Sequence, residues 1–318
     1  MSYADKVFAD MCRNILENGT DTKGEKVRPH WEDGKPAYTF KQFGVVNRYD
    51  LRKEFPATTF RRTALKSCFD ELLWIWQKKS NNIHDLSSHV WDEWADEDGS
   101  IGKAYGYQQA LFHFYADVRE DRLREAFPGI EDKGNKTWGY KYLDRPIAVG
   151  EGGAFRMTQI DKALYDLRTT PFSRRIIVDM WNPEDQHAMH LTPCAYSVTF
   201  NVTQDEEGKL VLNAILNQRS NDLLAAGNWN VCQYALLLMM VARSCGMVAG
   251  ELVHVIADAH IYDRHVPIVK ELIEREQYPA PTVYLNPEKK GFYEFTVDDL
   301  IVENYVTGPQ VKDIPIAI

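Results

Sequence analysis

The stretch that decides the fold runs from Thr192 to Asp222, TPCAYSVTFNVTQDEEGKLVLNAILNQRSND. Tyr196, Val198, Phe200 and Val202 alternate with polar partners, the period-2 pattern of a half-buried strand. Asp205-Glu206-Glu207-Gly208 then reads as a turn, and Leu210, Leu212, Ala214 and Leu216 resume the alternation, so the segment predicts a β-hairpin. Before it, Arg174–Trp181 is a short strand bounded by Pro171 and Asn182-Pro183. After it, the apolar run Val231–Cys245 predicts a buried helix closed by Gly246, and Leu252–Tyr262 another strand. Further out, Ala4–Leu16 reads as an opening helix stopped by Asn18-Gly19. Thr63–Lys78 reads as a buried helix with Leu65, Cys68, Phe69, Leu72, Leu73, Ile75 and Trp76 on its apolar face. Residues 111–165 are charged and glycine-punctuated and read as an elaboration rather than core. No linker and no internal repeat divides the chain, so the expectation is one α/β (α+β) domain over residues 1–318, a mixed β-sheet covered by helices.

The bulk composition narrows the function. A net charge of -9 disfavours a broad grip on DNA, RNA or an anionic membrane, although a few local arginines can still bind one small anion. The N-terminus lacks a basic stretch followed by an apolar one, and the longest apolar run, Tyr234–Ala242, is too short to span a bilayer. Five scattered cysteines without CxxC spacing argue against both a disulfide framework and a zinc site, and point to a reducing, cytoplasmic compartment.

Several residue groups can carry chemistry. Cys194 precedes the first strand of the hairpin, and taken alone it reads more readily as inert core than as a nucleophile. Gln218-Arg219-Ser220-Asn221-Asp222 ends the partner strand, so pairing brings a guanidinium toward the thiol, which would favour the thiolate. Arg28, Arg174, Arg175 and Arg219 could converge on a phosphate, whose oxygens suit the planar fork of arginine. Glu71 sits among large apolar residues and is either at a solvated helix edge or desolvated; the second state would raise its pKa toward neutrality. Period-2 geometry puts Asp258, His260 and Tyr262 on one strand face, a set suited to a sugar hydroxyl. His254, His260 and His265 are the alternative as a metal set, but they lack a supporting carboxylate pattern, and no metal is expected.

Taken together these motifs resemble the thymidylate synthase family across nearly the whole chain. The resemblance rests on Glu71-Leu72-Leu73-Trp74, Trp91-Asp92-Glu93-Trp94, Tyr105-Gly106, Ser173-Arg174-Arg175, Pro193-Cys194, Gln218 to Asp222, Asn230, Asp258 to Tyr262, and the terminal Pro315-Ile316-Ala317-Ile318. It implies a thymidylate synthase-like fold, with residues 111–165 as a lineage-specific insertion. It also implies a methyltransferase that converts dUMP to dTMP with 5,10-methylenetetrahydrofolate as cosubstrate. Cys194 would add to C6 of the uracil ring, and C5 would then attack the one-carbon unit. After loss of the C5 proton, hydride from the folate would complete the methyl group and release dihydrofolate.

The resemblance assigns further roles. Glu71 and Tyr105 would handle protons, with Arg219 and Asp222 also in the catalytic set. Arg28, Arg219 and Ser220 would hold the phosphate, and Arg174 and Arg175 would reach in from the other subunit of a homodimer. Asn230 would read the uracil edge, Gln218 and Asp222 would also bind dUMP, and His260 and Tyr262 would hold the ribose. Trp91, Trp94, Asp222 and Ala317 would meet the folate, the C-terminal residues closing over it.

Three departures from the family pattern stand out. The residue after the nucleophile, often His, is Ala195, as in a Bacillus-like subgroup. The usual Leu-Gly-x-Pro-Phe-Asn is Ala225-Ala226-Gly227-Asn228-Trp229-Asn230, and the usual Gly before the sugar-binding Asp is Ala257. Two alternatives stay open at this level: a dUMP hydroxymethylase, in which water captures the methylene, and a non-catalytic nucleotide- or RNA-binding regulator.

Overall fold

The computed structural model describes residues 1–141 and 145–317. Helix α1 (Tyr3–Asn18) leads through β1 (Thr20–Asp21) to the long strand β2 (Thr39–Asp50). Helix α2 (Leu65–Trp76) and the short α3 (Gly106–Ala110) follow. Next come β3 (Phe112–Tyr115), α4 (Leu123–Ala126), β4 (Glu131–Gly134), β5 (Thr137–Gly139), β6 (Ile147–Val149), β7 (Phe155–Thr158) and α5 (Gln159–Thr169). The second half holds β8 (Ile177–Asp179), β9 (Ala195–Gln204), β10 (Leu210–Gln218), β11 (Asn221–Asp222), α6 (Trp229–Ser244) and β12 (Val248–Tyr262). Helix α7 (Val266–Leu272) and the hairpin of β13 (Thr282–Leu285) with β14 (Leu300–Glu303) complete the chain.

The main sheet has the order β1-β2-β12-β10-β9-β8, with β11 paired to β12. It is mixed: β10 runs parallel to β12, and the remaining pairs along that order are antiparallel. The expected hairpin is present as β9 and β10, and Val198, Phe200, Val202, Leu212, Ala214 and Leu216 all point into the core. A register shift between Asn217 and Gln218 sets Gln218 opposite Ala195, so the next amide, Arg219 N–H, donates to the Cys194 carbonyl at 2.8 Å.

Helices α2 and α6 cover the inner face. Ten of the twelve α2 residues are buried, Glu71 among them. Burying Leu72, Leu73 and Ile75 contributes about 1.5–3 kcal/mol each, enough to offset the cost of taking one hydrogen-bonded carboxylate out of water. A second apolar cluster joins α1, α7, Leu223, Leu224, Ile256 and Ile261.

The elaboration read over residues 111–165 is a separate five-stranded sheet, β3-β7-β6-β5-β4, around Trp138, Phe155, Met157 and Phe127. Its reading needs one correction. Ile160, Ala163, Leu164 and Leu167 of α5 pack into the main core, so the structural boundary falls near residue 158. The strand expected over Arg174–Trp181 shortens to Ile177–Asp179, because the two arginines stay outside the ladder.

Candidate active site

Cys194 lies at the end of the main sheet, half-buried, immediately before β9. Arg219 is folded back onto this segment. Its Nη2 donates to the Thr192 carbonyl (2.8 Å) and to Thr192 Oγ1 (3.1 Å), and lies 3.5 Å from Cys194 Sγ. Its Nε donates to the Pro193 carbonyl at 3.1 Å. From the other side, the Cys194 backbone N–H donates to the Tyr105 hydroxyl at 2.9 Å. Tyr105 holds this position with φ +45°, in the left-handed region that costs energy for a non-glycine residue, and Gly106 beside it packs directly on the Ser80 backbone.

The expected depression of the Cys194 pKa is not found. Burial raises the thiol above its ordinary value, and the pull of the Arg219 charge and the Tyr105 hydroxyl offsets this only in part. The sequence places the guanidinium correctly but cannot weigh it against desolvation, which depends on everything packed around the sulfur.

Glu71 takes the desolvated alternative. Its Oε1 accepts from Trp91 Nε1 at 2.7 Å and its Oε2 from Trp229 Nε1 at 2.5 Å. Burial pushes its pKa up, while the two indoles and the Gln233 amide pull it down. Trp91 also packs edge-on against Tyr105, with ring centroids 5.0 Å apart, and against Trp94 at 5.7 Å. An unbroken chain of contacts therefore runs from Cys194 through Tyr105 and Trp91 to Glu71.

Around this centre the amides are linked. Gln218 Nε2 donates to Asn230 Oδ1 (3.1 Å) and to the Ser220 carbonyl (2.8 Å), while its Oε1 accepts from His254 Nε2 (2.7 Å). Among the described residues Asn230, in the first turn of α6, accepts at Oδ1 from Gln218 and has no partner for its –NH2. His254 is buried neutral, its pKa pushed down to about 3 by desolvation.

Asp258, His260 and Tyr262 lie together as expected: His260 Nδ1 is 2.8 Å from Asp258, and the His260 and Tyr262 rings are 5.1 Å apart. Asp222 pairs alongside His260 in the β11–β12 ladder. Its Oδ1 accepts from the Leu224 and Ala225 N–H groups at 2.9 and 3.1 Å. Burial raises the Asp222 pKa, but His265 and His260 outweigh it and the carboxyl sits below its ordinary value. The three histidines weighed as a metal set have separate partners: Gln218, Asp258, and for His265 the Pro315 carbonyl at 2.8 Å.

The four arginines are not gathered within one chain. Arg28 is exposed but close enough that its charge pulls Tyr262 down, against burial that lifts that hydroxyl to about 12. Arg174 and Arg175 stand exposed ahead of the edge strand β8, and among the described residues neither guanidinium has a hydrogen-bond or ion-pair partner. Ala317 forms an antiparallel bridge with Trp31, while Ile318 lies outside the described residues.

Three contributors were not legible as such. Trp31 packs edge-on against Tyr262 and His265 at 5.5 and 5.7 Å, His265 ties the tail to Asp222, and Trp229 reaches Glu71. Trp229 had a sequence signal in its greater size at a position usually held by Phe, and His265 was singled out only as a member of a metal set; Trp31 had none.

The family model described as thymidylate synthase matches residues 6–317. The chain belongs to the thymidylate synthase family. The thymidylate synthase of Bacillus subtilis subsp. natto is 36% identical over 315 residues, covering 98% of each chain. That of Bacillus phage phi3T matches equally, at 36% over 315 residues and 98% of each chain. The solved structure of the thermostable thymidylate synthase A from Bacillus subtilis superimposes with a TM-score of 0.80 at 34% identity, covering 100% of both chains. Membership makes the chain a methyltransferase of nucleotide biosynthesis, a family that binds dUMP and uses methylenetetrahydrofolate as cosubstrate. Among the described residues, no helix is long and apolar enough to cross a membrane.

Proposed function

We propose that the reaction, reductive methylation of dUMP to dTMP, runs through a covalent bond between Cys194 Sγ and C6 of the uracil ring. The observation that carries this reading is the thiol held between the Arg219 guanidinium, 3.5 Å from Sγ, and the Tyr105 hydroxyl that accepts the Cys194 amide. Burial holds the thiol above its ordinary value, and the Arg219 charge and the Tyr105 hydroxyl pull the other way, toward the thiolate that adds to C6. Asn230 reads the uracil edge, oriented by Gln218. His260 and Tyr262 hold the ribose, and Arg28, Arg219 and Ser220 the phosphate. Glu71, lifted toward neutrality, and Tyr105 move protons at the ring.

5,10-Methylenetetrahydrofolate supplies the one-carbon unit and the hydride. The residues present fit it: Asp222 Oδ1 is occupied by backbone N–H groups, whereas Oδ2 has no hydrogen-bond partner among the described residues and can accept from a pterin N–H. Trp91 and Trp94 offer an aromatic wall, and the tail through Ala317, docked on Trp31, covers it.

A homodimer accounts for Arg174 and Arg175. The outer face of the main sheet leaves Val46, Ile177 and Ile215 exposed, an apolar surface suited to a second copy. The small sheet over residues 112–158 is a lineage elaboration, and free cysteines suit the cytoplasm.

The test is to incubate the protein with dUMP and methylenetetrahydrofolate, separate the nucleotides by mass and follow dihydrofolate absorbance. The expected result is dTMP with a matching absorbance rise, both lost in Cys194→Ala. Hydroxymethyl-dUMP without the rise, or full activity in the variant, would overturn the reading.

A further inference from the structure

Trp229 is the first residue of α6, and its indole N–H points across the core at Glu71 of α2. Trp91, from the loop after α2, takes the other carboxylate oxygen. Each indole nitrogen is a donor only. With each oxygen accepting one indole N–H, both donors favour the charged carboxylate over the neutral acid. Phenylalanine at position 229 would leave Oε2 without this donor. The position after Cys194, where a histidine is usual, is here Ala195, buried and unable to donate from its side chain.

We propose that Trp229 is a positioning residue for the reaction: its indole N–H, paired with that of Trp91, fixes the orientation and charge of the Glu71 carboxylate. The inference rests on the proposed proton-handling role of Glu71. The groups that face this carboxylate are few. Asp70 lies beside it on α2 and opposes its ionisation. Cys68 of α2, Tyr105 ahead of α3 and Tyr234 of α6 also feel its charge, and burial pushes all three above their ordinary values, so they are neutral where Glu71 titrates. Gln233 of α6 contributes an uncharged amide. Burial and Asp70 therefore oppose ionisation, the three donors favour it, and burial wins, leaving the carboxyl above its ordinary value.

The experiment compares the pH profiles of kcat for the unaltered protein, Trp229→Phe and Glu71→Gln. In Trp229→Phe the acid limb should move to higher pH, because the carboxylate has lost a donor. At the acid end kcat should fall by about 10-fold or more, the loss of one hydrogen bond to a charged group, while KM for dUMP changes little. An acid limb that coincides with that of the unaltered protein means Trp229 only fills space, and the proposal fails. If Glu71→Gln keeps full activity and its acid limb, the role of Glu71 fails instead.

A second measurement guards against a Trp229→Phe variant that does not fold. Of the eight tryptophans, two bond Glu71, so two indole N–H resonances should shift in Glu71→Gln and titrate with the acid limb in the unaltered protein. A single responding resonance would overturn the proposal.

Discussion

Replacing Arg219 with lysine keeps the charge beside Cys194 but removes the fork. The guanidinium reaches the Pro193 carbonyl through Nε at 3.1 Å and the Thr192 carbonyl through Nη2 at 2.8 Å. A lysine ammonium is a single point of charge and reaches one of the two. A hydrogen bond from a charged donor contributes about 1.5–3 kcal/mol, and for the half-buried Arg219 we take about 2 kcal/mol. Unfolding entropy of about 2.1 cal/mol/K per residue over 318 residues makes this a fall in Tm of about 3 °C. The same loss frees Thr192–Cys194 from the end of β10, loosens the charge–sulfur contact and raises the thiol pKa further. The assay is Cys194 alkylation by iodoacetamide against pH, read by peptide mass and set beside calorimetry. The alkylation curve should move to higher pH in Arg219→Lys and further still in Arg219→Gln, which loses the charge. If Arg219→Lys alkylates like the unaltered protein and its Tm stays within about 1 °C, the fork is not what holds this segment.

Three other perturbations probe the supporting shell. In Gly106→Ala the new Cβ would stand 1.8 Å from the Ser80 carbonyl oxygen, so the backbone carrying Tyr105 must move; urea melts should show a loss of about 1–3 kcal/mol, with kcat reduced even in the folded fraction. Tyr105→Phe removes the acceptor of the Cys194 N–H, so kcat should fall about 10- to 100-fold, the equivalent of about 1–3 kcal/mol for an unpaired polar group, with KM for dUMP little changed. His265→Gln tests the link between Asp222 and the tail. Burial opposes the charge on His265, but Asp222 and the Pro315 carbonyl outweigh it and raise its pKa above the ordinary 6.5. That contribution is complete below the unfolded value and is lost as pH rises through the raised one, whereas that of Asp222, lowered from 3.8, is lost as pH falls. The stability difference between His265→Gln and the unaltered protein should therefore peak between about pH 4 and 6.5, as urea melts across pH would show; a flat difference would remove the ion pair from the account.

Local pattern determined much of this protein. The alternation in β9 and β10, the apolar runs of α2 and α6 and the strand ending at Tyr262 are periodic signals, and period alone placed Asp258, His260 and Tyr262 on one face. The proximity of Arg219 to Cys194 followed from hairpin pairing. Strand β2 left no such trace: Phe43, Val46 and Arg48 are exposed on it, so its alternation does not separate inside from outside. Its place beside β12 rests on pairing between residues about 200 positions apart, such as Val253 with Arg48.

The tertiary structure alone decided what depends on summed surroundings. Desolvation outweighs Arg219 at Cys194, and three separate segments bring Trp91, Trp229 and Glu71 together. His265 likewise ties Asp222 to the tail across some forty residues of sequence and more. A hydrogen bond or a burial cost is a property of who stands next to whom, and neighbours that come from distant segments leave no period in the chain.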